Sequence, residues 1–149
     1  MPGLSDGHGS EPFHNVGPMS ARRLISSGST LEDLIGYSRA VVDGAWVHVS
    51  GCTGYDYATM TMAEGVIAQA EQALANVGAA LTEAGASFAD VVRVRYLLPD
   101  AADFEACWPV LRRYFGEVRP AATMTACGLL DPAMLIEIEV TAHLRSASQ

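Results

Sequence analysis

Strict alternation in the run from Met134 to His143 constrains this chain more than any other feature. Met134, Ile136, Ile138, Val140 and Ala142 form one apolar set, and Leu135, Glu137, Glu139, Thr141 and His143 form the other. A period of two residues puts the two sets on opposite faces of a β-strand. The run from Val91 to Leu98 has the same pattern, with Val92, Val94, Tyr96 and Leu98 alternating with Arg93, Arg95 and Leu97. Each apolar face needs a covering layer. The opposite faces gather two arginines and two glutamates beside Leu97 and Leu135. They read either as a solvent-exposed sheet face or as a subunit interface with charged clefts.

Two segments can supply the covering layer. Val66, Ala70, Leu74, Val77, Leu81 and Ala84 recur at helical spacing. Thr61-Met62-Ala63-Glu64 predicts a capping box at the start of that helix, and Gly85 a C′ residue at its end. Phe104 to Phe115 reads as a second helix, closed by Gly116. Pro109 fits best near the start of its regular part, with Cys107 or Trp108 as N-cap. Further strands are expected at Arg22 to Ser27, Tyr37 to Val42, Ala45 to Ser50 and Thr123 to Cys127. Asp43-Gly44 predicts a hairpin between the second and third runs. The order β-β-β-α-β-α-β-β is an α+β layout with both helices on one sheet face.

At 149 residues the chain suits one domain. Residues 1–20, rich in Gly, Pro and Ser and without periodicity, are expected to be a flexible tail that includes His8 and His14. The domain then spans 21–145.

Nine basic against seventeen acidic residues give a net charge of −8, which argues against a nucleic-acid partner. All nine basic residues are arginine. Without lysine, neither a Schiff base nor a P-loop is possible. Cys52, Cys107 and Cys127 are odd in number and irregularly spaced, so they form no disulfide framework. Cys107 and Cys127 lie beside apolar residues and read as core. The histidines and cysteines make no HxH, HxxxH or CxxC pair, so neither a metal site nor a cofactor is expected. No charged-then-apolar leader and no apolar run of about 18 residues occurs, which predicts a cytoplasmic protein without a membrane partner.

Several segments together resemble the Rid family (YjgF, reactive-intermediate deaminase). They are Ser50-Gly51 after the hairpin, the alanine-rich helix ending Glu83-Ala84-Gly85, Val91-Val92, Asp100, Asp103-Phe104 and Tyr114-Phe115. The tail from Arg119 to Met124 and from Leu135 to Val140 looks like the family signature. The resemblance covers Tyr37 to Leu144. It implies a chorismate-mutase-like fold with one mixed sheet, a homotrimer, and clefts between subunits that take a small molecule. It further implies hydrolysis of imine or enamine intermediates. In that scheme an arginine holds the substrate carboxylate, a glutamate helps activate water, and backbone groups near Gly51 and in the signature strand position the substrate.

Carried over residue by residue, Glu137 takes the glutamate position, Tyr37 the tyrosine position and Ser50 the serine position. Ala122 stands where the family has its arginine, so the carboxylate clamp is missing. Trp108 stands at a position that is often asparagine. The candidate set is therefore Glu137 and Tyr37 as catalytic residues, with Arg95, Ser50, Gly51, Cys52, Trp108, Ala122, Thr123 and Met124 as substrate-binding residues. Arg95 has two readings. It could hold a substrate, or Arg93 and Arg95 could pair with Glu137 and Glu139 at about 0.2–1 kcal/mol per exposed pair. Cys52 is either buried or a reactive thiol, and His48 reads as the satisfied partner of a neighbouring strand.

The leading functional expectation is a small-molecule enzyme acting on an imine, enamine or related carbonyl-type intermediate, and not on 2-imino acids. The alternatives are a trimer that binds a metabolite without turnover and a ribonuclease-like relative.

Overall fold

The computed structural model describes residues 22–145; the tail expected at 1–20, with His8 and His14, lies outside them. β1 (Arg23–Ile25) leads into a helix not expected from the sequence, α1 (Thr30–Ile35), whose Leu34 and Ile35 are exposed. The Ser29 hydroxyl accepts from the Leu31 N–H, and Gly36, at φ 90°, ends the helix in the left-handed region. α1 buries Glu32 rather than a hydrophobic stripe. The Glu32 carboxylate accepts from the Ser27 N–H (3.0 Å) and hydroxyl (2.5 Å), which hold its pKa low against the opposing effect of burial.

β2 (Ala40–Asp43) and β3 (Trp46–Thr53) form the expected hairpin. Tyr37 falls just before β2 rather than inside it. A two-stranded ribbon, β4 (Tyr55–Asp56) with β5 (Thr61–Met62), follows. This ribbon overrides the expected capping box. Thr61 and Met62 are extended and paired with Asp56 and Tyr55, so α2 (Gly65–Glu83) begins later, and its N-cap, Glu64, makes no side-chain bond.

β6 (Val91–Leu98) starts with a bulge against the last strand. The bulge reverses the expected parity there, burying Val91 and leaving Val92 exposed. α3 (Phe104–Phe115) begins upstream of the expected N-caps Cys107 and Trp108, and Pro109 lies inside it. Asp100 accepts from the Ala102 N–H and starts a 3₁₀ turn that runs into the helix. Pro109 and Glu105 are both exposed, so the hydrogen bond that proline deletes is lost where water can replace it.

β7 (Ala121–Ala126) starts two residues before the expected run, because Ala121 and Ala122 pair with Arg93 and Val94. β8 (Glu137–His143) starts three residues later than expected. The Leu135 N–H donates to the side-chain carbonyl of buried Gln69 on α2 (2.8 Å) instead of joining a strand.

The six-stranded sheet has the order β1-β2-β3-β8-β6-β7, antiparallel except for the β6–β7 pair. Ile138, Val140 and Ala142 of β8 join Val47 and Val49, Val94, Tyr96 and Leu98 in one core with Leu74, Val77 and Leu81 of α2 and Cys107, Val110 and Phe115 of α3. Ala70, Ala73 and Ala80 are buried, which lets α2 lie close to the sheet. Among the described residues, no helix covers the opposite face. Trp46, His48, Arg93 and Arg95 are exposed on it. His48 lies opposite Val41 and Thr141 of the neighbouring strands and stacks on Trp46 with ring centroids 6.4 Å apart.

Candidate active site

The irregularity in β3 between Val49 and Cys52 builds the first part of the site. It brings Gly51 against Glu137, and a Cβ at residue 51 would collide with the Glu137 carboxylate. Glycine is therefore required by space here, not by backbone angle. Behind Gly51 lies Arg39, only 4% exposed. Its Nη1 donates to the Gly51 carbonyl (2.7 Å) and lies 3.5 Å from Cys52 Sγ; its Nη2 lies 3.4 Å from the Tyr37 hydroxyl. The guanidinium sits over the Tyr57 ring at 4.7 Å and near the Tyr37 ring at 5.7 Å. Arg39 Nε has no hydrogen-bond partner among the described residues. Ser50 closes the strand pairing, its hydroxyl donating to the Ser38 carbonyl at 2.6 Å.

These contacts set the ionisation of the cluster. Burial, with Glu139 adding to it, raises the Glu137 pKa above the usual carboxylate range, and Arg39 opposes the shift. Burial also raises the Cys52 thiol although Arg39 opposes it, so Cys52 is a buried neutral thiol and not a poised nucleophile. A half-buried carboxylate whose pKa has moved towards neutrality can accept a proton from water and return it.

The remaining candidates lie elsewhere. Ala122 pairs with Val94 and faces the helical layer. Together with Trp108 it lines a cavity of about 550 Å³ floored by Val94, Tyr96, Leu111 and Phe115. Arg112 and Arg119 also line it, and no carboxylate does. Met124 lies on the same face of β7, 37% exposed. Arg95 is on the helix-free face, opposite Glu139 and Thr123, and forms an ion pair with Glu139 at 2.6 Å. Arg93 faces Thr141, and Glu137 faces Leu97, so the second expected arginine–glutamate pair does not form.

Within one chain, then, Glu137, Gly51, Ser50, Cys52 and Tyr37 come together. Trp108 and Ala122 form a second group, and Arg95, with Thr123 beside it, a third. Cys107 is buried as expected, but Cys127 is only half-buried. Among the described residues, no three His, Cys, Asp or Glu side chains converge to hold a metal ion, and no helix is long and apolar enough to cross a membrane. Arg39, at the centre of the first group, escaped sequence reasoning. The signal for it was a single charge in the strand-like run Tyr37 to Val42, flanked by Ser38 and Ala40.

The arrangement has known counterparts. The family model Endoribonuclease L-PSP matches residues 28–144. A 2-iminobutanoate/2-iminopropanoate deaminase of Capra hircus is 35% identical over 122 residues, which cover 81% of this chain and 89% of that one. Rv2704 of Mycobacterium tuberculosis, a member of the YjgF/YER057c/UK114 family, has a crystal structure that superposes with a TM-score of 0.77 at 38% identity. It covers 83% of this chain and all of its own. RidA from an Antarctic Psychrobacter superposes with a TM-score of 0.70 at 33% identity, over 81% of this chain and 94% of that one. The one-sheet α+β architecture with helices on one face is the chorismate-mutase-like fold of these proteins. The chain belongs to the Rid (YjgF/UK114) family.

Proposed function

We propose that this chain is a cofactor-independent hydrolase of imine or enamine intermediates, working at clefts between the subunits of a homotrimer. Glu137 takes a proton from water as the water oxygen bonds to the imine carbon. That proton passes to nitrogen to give a carbinolamine. The carbinolamine hydroxyl then gives up its proton to Glu137, which returns it to nitrogen as the C–N bond breaks, and ammonia (or an amine) leaves with a carbonyl product. Tyr37 orients the substrate, and backbone groups at Gly51 and Met124 supply polar contacts. The observation that carries this reading is the half-buried Glu137 carboxylate pressed on Gly51 beside buried Arg39. The names of relatives such as the Capra hircus deaminase support the reaction class. Ala122 makes 2-imino acids poor substrates, because alanine offers no guanidinium to their carboxylate.

The test compares two imines made in situ. An amine oxidase supplies an imine without a carboxylate, and an amino-acid oxidase supplies a 2-imino acid. The first is expected to decay faster than its spontaneous rate, and the second only weakly so. Catalysis needs the ionised carboxylate, so the rate should fall as pH drops through the raised pKa of Glu137. No acceleration of either imine would overturn the proposal.

The helix-free sheet face and the exposed strand β7 support the trimer. Trp46 is 45% exposed on that face, and from Ala121 to Met124 every residue of β7 is exposed. Analytical ultracentrifugation is expected to show three chains per particle at micromolar concentration. A stable monomer would remove the intersubunit cleft.

A further inference from the structure

A second cavity, about 290 Å³, lies between α2, Ser26-Ser27 and Asp56-Tyr57-Ala58. Charges of both signs line it without neutralising each other. Arg39 is more than nine-tenths buried, has an unpartnered Nε, and forms no ion pair among the described residues. Asp56 and Glu83 also line the cavity, and neither forms an ion pair there. Asp56 Oδ1 already accepts from the Ala58 N–H at 2.9 Å, and three further polar side chains of the lining are engaged as well. The Ser26 hydroxyl accepts from the Gly28 N–H, the Ser27 hydroxyl donates to Glu32, and the Asn76 amide donates to the Thr53 and Tyr55 carbonyls. Ile25, Ala79 and Ala80 supply a small apolar wall.

Arg39 has no described carboxylate within ion-pair distance, Glu137 acting on it only from further off, and a ligand carboxylate brought into contact with the guanidinium supplies the missing pair. The volume is at the small end of ligand sites. We propose that this cavity binds a free α-amino acid with a short side chain, its carboxylate on Arg39 and its ammonium on Asp56 and Glu83. The site is distinct from the one proposed above, since Glu137 does not line it. Arg39 links the two through its bond to the Gly51 carbonyl.

Isothermal titration calorimetry on the full chain tests this with L-alanine, L-serine and L-threonine as probes. Propionate, which lacks the ammonium, and ethylamine, which lacks the carboxylate, are the comparisons. At least one amino acid should bind, with propionate and ethylamine at least about tenfold weaker, the effect of 1.4 kcal/mol. Arg39→Met should weaken binding by about 30-fold or more, and Asp56→Asn with Glu83→Gln should weaken it as well. Glu137→Gln should leave it unchanged while abolishing hydrolysis, so failure of one site is distinguishable from failure of the other. If Arg39→Met does not fold, the Asp56→Asn/Glu83→Gln double variant, altered only at half-buried and exposed positions, decides the matter. Four results would each overturn the proposal: no binding of any probe amino acid, equal binding of propionate, loss of binding in Glu137→Gln, or unchanged binding in the double variant.

Discussion

Glu137→Gln is expected to lower imine hydrolysis by about 10²–10⁴-fold, the usual contribution of a positioned proton-transfer group. Glutamine keeps the shape that packs on Gly51, so the site should not collapse. It cannot take a proton from water. The same substitution should not destabilise the chain at neutral pH, for a reason of sign. Burial and Glu139 raise the folded-state pKa of Glu137. Its contribution to stability is therefore present at low pH, where the carboxyl is neutral, and lost as pH rises through the folded pKa. A neutral amide escapes that loss. Urea melts at low and high pH should show the variant gaining stability relative to wild type as pH rises, while initial-rate assays show activity gone. Wild-type rates in Glu137→Gln would show that another group handles the proton.

Ala122→Arg should raise hydrolysis of 2-iminobutanoate by about 30-fold to several-thousand-fold. That range corresponds to a buried charge-assisted pair worth about 2–5 kcal/mol. The structure leaves room for it, since Ala122 lines the 550 Å³ cavity. The cavity has no carboxylate to capture the new guanidinium, and Arg112 and Arg119 already bias it towards anions. Trp108, 47% exposed and edge-on to Phe104 with centroids 6.3 Å apart, is the wall the new side chain would meet. The double variant Ala122→Arg/Trp108→Asn should therefore exceed the single one. Wild-type rates that already match those of the arginine variant would show that Ala122 is no obstacle. Arg95→Ala would then be the next variant, although the Arg95 charge is held by Glu139.

The fold was legible wherever side-chain periodicity reports burial. The alternation of β8 and the helical spacing of α2 both survive in the structure, because each element has one buried face. What stayed hidden was decided by partners distant in sequence. Thr61 spells a helix cap but is recruited by Asp56 into a ribbon. Leu135 continues the alternation but is captured by Gln69. α1 spans six residues, leaves Leu34 and Ile35 exposed, and is held by its caps and Glu32. For the proposed site, Glu137, Tyr37, Ser50 and Gly51 were read from the family pattern. Arg39 was not, because what makes it unusual is burial without an ion pair, and burial of an arginine leaves no periodic trace.

The edge strand β7 carries a consequence for how the chain must be handled. Its segment Ala121–Ala126 reads AATMTA, with no charge and no proline. One side is paired with β6, and the other has no strand partner among the described residues. Natural edge strands usually carry lysine, proline or a bulge to stop sheets from joining end to end. This one has no such guard, so it is adhesive by construction. In the proposed trimer, partner chains that cover this edge would act as a chaperone built from the protein itself. On the proposed trimer, freshly synthesised chains would have to find one another before they meet the edge of some other protein, so that the rate of assembly, more than the depth of the core, would set how much of this protein stays in solution.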